Sequence, residues 1–286
     1  MTIADVHASS PRRRGPRLPP SLWLGGALVA LLLAAAALSL VWTPHPPTEI
    51  DIAAKLQGPN VVHWLGTDSL GRDIASLLLV GARNALAVGV IAVGIGITLG
   101  VALGLLAAAR GGWLDEVLMR LADFTFAFPA LLTAIMLAAV QGPGLVTSVV
   151  AIGIFNIPVF ARITRGAARA VWTRDYVTAS RACGRGAWHI TWRHVLPNIA
   201  GALIVQATIQ FATAILAEAA LSYLGLGTQP PQPSWGRMLN EAQSMMFQAP
   251  LLALWPGLAI AGGVLGLNLL GDGLRDRLDP RWAHGR

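Results

Sequence analysis

Six long apolar runs alternate with polar, arginine-containing connections along the chain. The first run, 22–42, has about the 20 residues that a helix rising about 1.5 Å per residue needs to cross about 30 Å of hydrocarbon. The pattern predicts an all-α integral membrane protein. Its six transmembrane helices are expected at 22–42, 81–109, 117–140, 145–163, 199–221 and 251–270.

Composition supports a membrane bundle and excludes other classes. The chain is 55% hydrophobic and 12% charged, with a mean hydropathy of +0.60. Its single cysteine, Cys183, excludes an intrachain disulfide and a cysteine-based metal motif. The first apolar run is too long for a signal peptide, and no small-x-small cleavage site precedes Trp42, so we expect a retained span.

The distribution of basic residues predicts the orientation in the membrane. Six spans place both termini on one side, and cytoplasmic loops are the ones enriched in Lys and Arg, so both termini are predicted to be cytoplasmic. Arginine runs can also bind nucleic acid, but here they are dispersed among membrane flanks. The opposite side carries only Lys55, Arg72, Arg83 and Arg237. The cytoplasmic set is Arg12, Arg13, Arg14, Arg17, Arg110, Arg120, Arg162, Arg165, Arg169, Arg174, Arg181, Arg185, Arg193, Arg275, Arg277, Arg281 and Arg286.

Two longer segments, 43–80 and 222–250, lie on the predicted outer side. They are rich in Pro and Gly and lack a periodic apolar pattern, which predicts extended, turn-rich backbone. Three prolines also fall in or beside apolar runs, where each removes a helix hydrogen bond: Pro129, Pro158 and Pro256. The second span has a flat face formed by Gly96, Gly100 and Gly104. This face is expected to pack within the bundle or against a second subunit, and pore lining is the alternative.

The connector between the fourth and fifth spans is unusually long and basic. Its sequence, DYVTASRACGRGAWHITWRHVLPN, is patterned as two short helices, at 176–183 and from about Ala187. They are broken at Gly184, where a positive φ costs little. Pro197 is expected to open the fifth span from a first-turn position, where its missing N–H costs no bond. A structured cationic connector on one side of a bilayer predicts a soluble partner protein that docks there.

The spacing of Thr178-Ala179-Ser180, Gly184 and Leu196-Pro197 matches the EAA loop, and here the chain resembles the membrane subunits of ATP-binding cassette importers. A basic loop with chance spacing is the alternative for this motif taken alone. The chain departs from the family in having threonine for its glutamate, Ser180 as the second small residue and histidine at the usual isoleucine. The resemblance implies an ATPase-coupling loop formed by Tyr176, Thr178, Ala179, Ser180, Gly184, His194, Leu196 and Pro197.

Further segments resemble the dipeptide, oligopeptide and nickel permease branch of these importers, particularly its second permease subunit. The resemblance covers about residues 60–282 in order and with plausible spacing. It rests on WLGTDSLGRD at 64–73, GARNAL at 81–86, GWLD at 112–115, MRLAD at 119–123, AFP at 127–129, LAEAALSYLGLG at 216–227, QPP at 229–231, PSWG at 233–236, NLLGDGLRD at 268–276 and LDPR at 278–281.

Polar residues near the outer ends of spans each have two interpretations. Asp68, Arg72 and Asp73 precede the second span, where pairing or capping of the helix is favoured over substrate contact. Glu218 lies near the outer end of the fifth span. An intramembrane carboxylate is by default functional, but at this depth a solvated or hydrogen-bonded role is favoured.

A polar stripe marks one face of the fifth span. Gln206, Gln210 and Thr213 recur at helical spacing, and lipid would leave their polar groups unsatisfied, so they are expected to face the bundle interior. They either line the translocation path or bond to other helices.

The sequence lacks the motifs of an enzyme. It has no GxxxxGK[ST] phosphate loop, no Ser–His–Asp pattern and no HExxH, and its six histidines are scattered. His189 and His194, five apart, do not form an i, i+4 metal pair. We therefore expect no bound cofactor or metal, with ATP and Mg²⁺ on partner subunits. An ion-gradient transporter would need ionisable residues at the midplane, which the spans almost lack.

Together these features predict a permease subunit with a type I importer transmembrane fold in the bacterial cytoplasmic membrane. Expected partners are a second homologous permease, two cytoplasmic ATP-binding subunits, an extracytoplasmic solute-binding protein and membrane lipid, but no nucleic acid. Peptides are the preferred substrates, with nickel or another small solute as the alternative. The expected parts are 1–80 (tail, first span and outer loop), 81–272 (permease domain) and 273–286 (cytoplasmic tail).

Overall fold

The computed structural model describes residues 19–278, which form nine α-helices and no β-strand. The helices are α1 (Pro20–Val41), α2 (Ile74–Arg110), α3 (Gly112–Ala127), α4 (Ala130–Gln141), α5 (Leu145–Trp172), α6 (Asp175–Ala182), α7 (Ala187–Tyr223), α8 (Trp235–Gln243) and α9 (Leu251–Leu278). Within the described range, α1, α2, α5, α7 and α9 are long and apolar enough to cross a membrane. The arginines at 12, 13, 14, 17, 281 and 286 lie outside it, as does most of the predicted tail.

Four of the membrane helices continue beyond their apolar runs. α2 begins at Ile74 instead of 81, α5 ends at Trp172 instead of 163, and α9 ends at Leu278 instead of 270. Helix α7 begins at Ala187, twelve residues before the predicted fifth span. Apolar runs mark the portion that suits lipid, whereas backbone hydrogen bonding carries a helix on into its polar ends.

The predicted third span at 117–140 is sharply bent instead of forming one straight helix. The run is divided into α3 and α4, whose axes differ by 83° across Phe128-Pro129. Phe128 is extended, with φ −95° and ψ 126°, because a residue before proline is disfavoured in the helical region. By contrast, α5 and α9 run through Pro158 and Pro256 without ending.

Glycines set the closest helix contacts. A Cβ on Gly100 would lie 2.5 Å from the Ile157 carbonyl oxygen of α5, and Gly96 and Gly104 meet the same helix. The predicted glycine face of the second span therefore packs within the bundle. On the other side of the molecule, Gly25 of α1 lies directly against the backbone of α9, which seats the first helix on the bundle.

The segment 222–250 contains a helix that the sequence analysis missed. α8 begins after Ser234, whose hydroxyl accepts a hydrogen bond from the Arg237 N–H at 3.2 Å, an N-cap arrangement. Trp235 is buried, packs on Gly81 and donates from Nε1 to the Leu78 carbonyl at 3.1 Å. The prediction of turn-rich backbone throughout this segment was therefore wrong here.

Candidate functional site

The connector between α5 and α7 has the predicted two-helix form. α6 ends at Ala182, Gly184 has φ +76°, and α7 begins at Ala187. Its inner side is anchored because Val177 and Ile190 are fully buried. They pack with Trp172 at the end of α5 and with Leu105 of α2, so the connector is fixed to two membrane helices.

Pro197 lies in the first turn of the α-helical stretch Leu196–Tyr223, as predicted, but this stretch does not begin as a separate helix. It continues α7 from a π-helical turn at Thr191–Val195, which ends two residues before Pro197. Proline lacks an N–H and its ring crowds the carbonyl of residue i−4, and a widened turn at this point accommodates both effects. The second connector helix and the fifth membrane helix are therefore a single rod.

The residues implied by the EAA-like spacing fall largely on the open side of the connector. Tyr176 lies 6.0 Å from His194 between ring centroids, which brings the two ends of the motif together. The motif itself contains no ion pair in the described residues. The exposed members are Tyr176, Thr178, Ala179, Gly184 and Pro197, and the half-buried members are Ser180, His194 and Leu196.

Two exposed tryptophans extend this surface, and the sequence analysis missed them. Trp188 and Trp192 are 77% and 52% exposed and stack edge to face at 5.5 Å. Their i, i+4 spacing on a basic helix was a usable signal, because it places both rings on one helix face and aromatic residues are enriched at protein interfaces. The connector therefore presents an aromatic and cationic face.

An ion-pair cluster links the connector's base to the broken span. The carboxylate of Asp115, at the start of α3, is buried and accepts hydrogen bonds from Arg165 and Arg169 of α5. The Nη2 atoms of both arginines lie 2.7 Å from Asp115 Oδ2. Nearby, Arg162 pairs with Asp123 and lies 4.3 Å from the Phe126 ring centroid. These contacts hold α3 against α5.

The predicted polar stripe divides between two environments. Gln210 is buried and donates to Asn156 Oδ1 of α5 at 2.8 Å, while Asn156 donates to the Ala92 carbonyl of α2 at 3.3 Å. Gln206 is half-buried, and Thr213 is exposed and bonds to the Ile209 carbonyl of its own helix. Asn156 had no periodic sequence signal and was not predicted.

The polar residues around the start of α2 and the end of α7 are held in structural contacts. Asp73 caps α2 by accepting the Ser76 N–H at 2.8 Å, and Arg72 joins Asp68 to Glu241 of α8 at 2.6 and 2.5 Å. Burial alone would lower the pKa of Arg72, but the two carboxylates outweigh it and raise that pKa above its ordinary value. Glu218 is buried and accepts hydrogen bonds from Ser222 and Thr228. The expectations of capping, pairing and hydrogen bonding are confirmed.

An all-helical bundle with several apolar spans and a structured, partly exposed connector has the architecture of a transporter subunit. In agreement, residues 100–284 match the family described as binding-protein-dependent transport system inner membrane component. The chain belongs to this family and is a multi-pass membrane permease subunit, a transport component of an ABC importer with its associated ATPase and substrate-binding partners.

Similar proteins include the glutathione transport system permease protein GsiD of Pectobacterium atrosepticum, 45% identical over 90% of this chain and 85% of that protein. The dipeptide transport system permease protein DppC of Alkalihalophilus pseudofirmus is 40% identical over 90% and 85%. Among solved structures, an inward-facing MetNI methionine ABC transporter chain superposes with a TM-score of 0.60 at 19% identity, over 71% of this chain and 96% of that one. The predicted branch and the type I importer fold are confirmed.

Proposed function

We propose that this chain is one of two homologous permease subunits of an ATP-driven importer for di- or oligopeptides, with both termini in the cytoplasm. The names of its relatives, a glutathione and a dipeptide permease, support a peptide substrate. Each permease supplies half of the translocation path. Two ATPase subunits bind the connectors, and they alone carry ATP and Mg²⁺.

The observation that supports coupling is the continuity of α7. Its 37 residues span about 55 Å at about 1.5 Å per residue, from the exposed connector face to the outer segment. A displacement imposed at Ala187 is carried along this rod to Gln206 and Thr213, which we propose line the path. Nucleotide then shifts the inward–outward equilibrium by its differential affinity for the two states.

The test is uptake in proteoliposomes that contain both permeases and the ATPase subunits, with the solute-binding protein outside. We expect accumulation of labelled glutathione or a dipeptide only with internal ATP. Uptake driven by an imposed proton or sodium gradient without the ATPases would overturn ATP coupling. Transport of nickel but of no peptide would overturn the substrate class while leaving the coupling intact.

A further inference from the structure

Two histidines that are distant in sequence meet at the N-terminus of α2. His45 follows the end of α1, His63 lies in the middle of the segment 43–80, and Asp73 is the N-cap of α2. One ligand atom from each residue lies within 4.8 Å of the other two. The three residues thus meet in space although the first and the last, His45 and Asp73, are 28 positions apart in sequence.

The distances suit a tetrahedral metal ion. His63 Nδ1 lies 3.1 Å and His45 Nδ1 lies 3.7 Å from the same atom, Asp73 Oδ1. Bonds of about 2.0–2.1 Å at tetrahedral angles separate neighbouring ligand atoms by about 3.3 Å. The two imidazole rings are 4.5 Å apart between centroids, so both nitrogens reach one point beside the carboxylate with small side-chain adjustments.

The His45 ring leaves a polar atom unsatisfied. Its Nδ1 is buried and has no hydrogen-bond partner among residues 19–278, and 3.7 Å to Asp73 is too long for a hydrogen bond. A buried polar atom left unpaired is costly. A bound cation would satisfy this nitrogen, the His63 nitrogen and the carboxylate together. The side chain of Asp73 is 1% exposed, against 33% for His45, so access from solvent is on the His45 side.

Neighbouring hydrogen bonds hold the carboxylate for this role. The N–H and the hydroxyl of Ser76 both donate to Asp73 Oδ2 at 2.8 Å, which leaves Oδ1 directed at the imidazoles. The backbone N–H of His45 donates to Ser76 Oγ at 3.0 Å, which fixes the backbone of this histidine. Such outer contacts orient ligands at metal sites.

We propose that His45, His63 and Asp73 form a Zn²⁺ site with two imidazole nitrogens, one carboxylate oxygen and a fourth position open to water. This donor set suits Zn²⁺ more than Mg²⁺ or Ca²⁺, which prefer oxygen ligands. The ion joins the end of α1, the middle of the segment 43–80 and the start of α2. The site is independent of the proposed transport function.

The experiment titrates Zn²⁺ against a chromophoric chelator, using the full chain in nanodiscs with its co-purified subunits. We expect one Zn²⁺ per chain at this site and a loss of affinity of at least about tenfold in each of His45→Gln and His63→Gln. His189→Gln, at an exposed position on the connector, is the matched control and should bind as wild type does. Co²⁺ in place of Zn²⁺ should give the absorption bands of a four-coordinate ion in wild type and in His189→Gln, but in neither His45→Gln nor His63→Gln.

Glutamine at position 63 retains an amide donor for Asp73, so it separates metal binding from a purely structural hydrogen bond. Equal Zn²⁺ affinity in wild type and both variants, or no stoichiometric Zn²⁺ in wild type, overturns the proposal. If His63→Gln does not assemble, His45→Gln decides the result, because the His45 Nδ1 makes no hydrogen bond within the described residues.

Discussion

The side-chain amide of Asn156 joins three helices. Gln210 bonds to Asn156, and Asn156 reaches the Ala92 carbonyl, so α7, α5 and α2 meet at this point. Both amides are buried, where an unpaired polar group costs more than its bond contributes. The pair therefore helps to fix the register of α2, α5 and α7 relative to one another.

We predict a measurable coupling energy between these amides. In a double-mutant cycle with Gln210→Leu and Asn156→Leu, the coupling should be about 0.6 kcal/mol and at most about 1.7 kcal/mol, the range of interhelical bonds in membranes. Thermal unfolding in detergent gives the free energies. Thr213→Val, at an exposed residue of the same stripe, should show no coupling with Asn156→Leu. A zero coupling for Gln210 would contradict the bond.

Gly184 is the residue at which backbone geometry is most restrictive in the connector. Its φ is +76°, and a Cβ there would meet nothing within 4 Å in the described residues, so any cost of substitution is conformational. Gly184→Val should disfavour the native turn by about 1–2 kcal/mol, a factor of about 5–30. We expect weaker co-purification of the ATPase subunits with normal membrane insertion.

The matched control for this variant is Gly186→Val. Gly186 is equally open, but its φ of −70° and ψ of 158° suit a β-branched residue. Quantitative pull-down of both variants from membranes makes the comparison. Equal recovery of the ATPase subunits with the two variants would contradict the prediction, because docking would then not depend on the positive φ of Gly184.

At the scale of elements, the most buried polar contact between α3 and α5 is the carboxylate of Asp115. Asp115→Asn removes the charge that Arg165 and Arg169 share, and hydrogen bonds to charged groups contribute about 1.5–3 kcal/mol. Because both arginines are partly exposed, we expect the lower end of that range as a loss of thermal stability. The neighbouring exposed pair of Glu116 and Arg120 supplies the control, since Glu116→Gln should cost at most about 0.5 kcal/mol. A similar loss from both would contradict the assignment.

The elements that sequence predicted best were those with a single dominant signal. Apolar length found every membrane helix, and the Gly184 break was found because a positive φ favours glycine. The missed features depended on context. Only packing shows that Phe128-Pro129 breaks a span while Pro158 and Pro256 do not. The amphipathic helix α8 is stabilised by its contacts with α2 and α7.

At the scale of the whole molecule, the rod-like α7 predicts that the connector responds to nucleotide as a unit. The native Cys183 is exposed on the connector and accepts a nitroxide label without further substitution. We expect its spectrum to become immobilised when the ATPase subunits bind and to change again when ATP is added. In a Cys183→Ser background, a label at Ser244→Cys, an exposed position in the segment 222–250, should not respond to ATPase binding. A connector label that is insensitive to both additions would contradict docking at this surface.

The sequence by itself determined the fold class, the membrane helices and the connector, because apolar length, charge and glycine act locally and are legible from one stretch of chain. Tertiary structure alone decided which polar residues meet. Asn156 with Gln210, Arg72 with Glu241, and His45 with His63 and Asp73 are far apart in sequence. Such pairings follow from how the helices pack, and no periodicity along the chain encodes them.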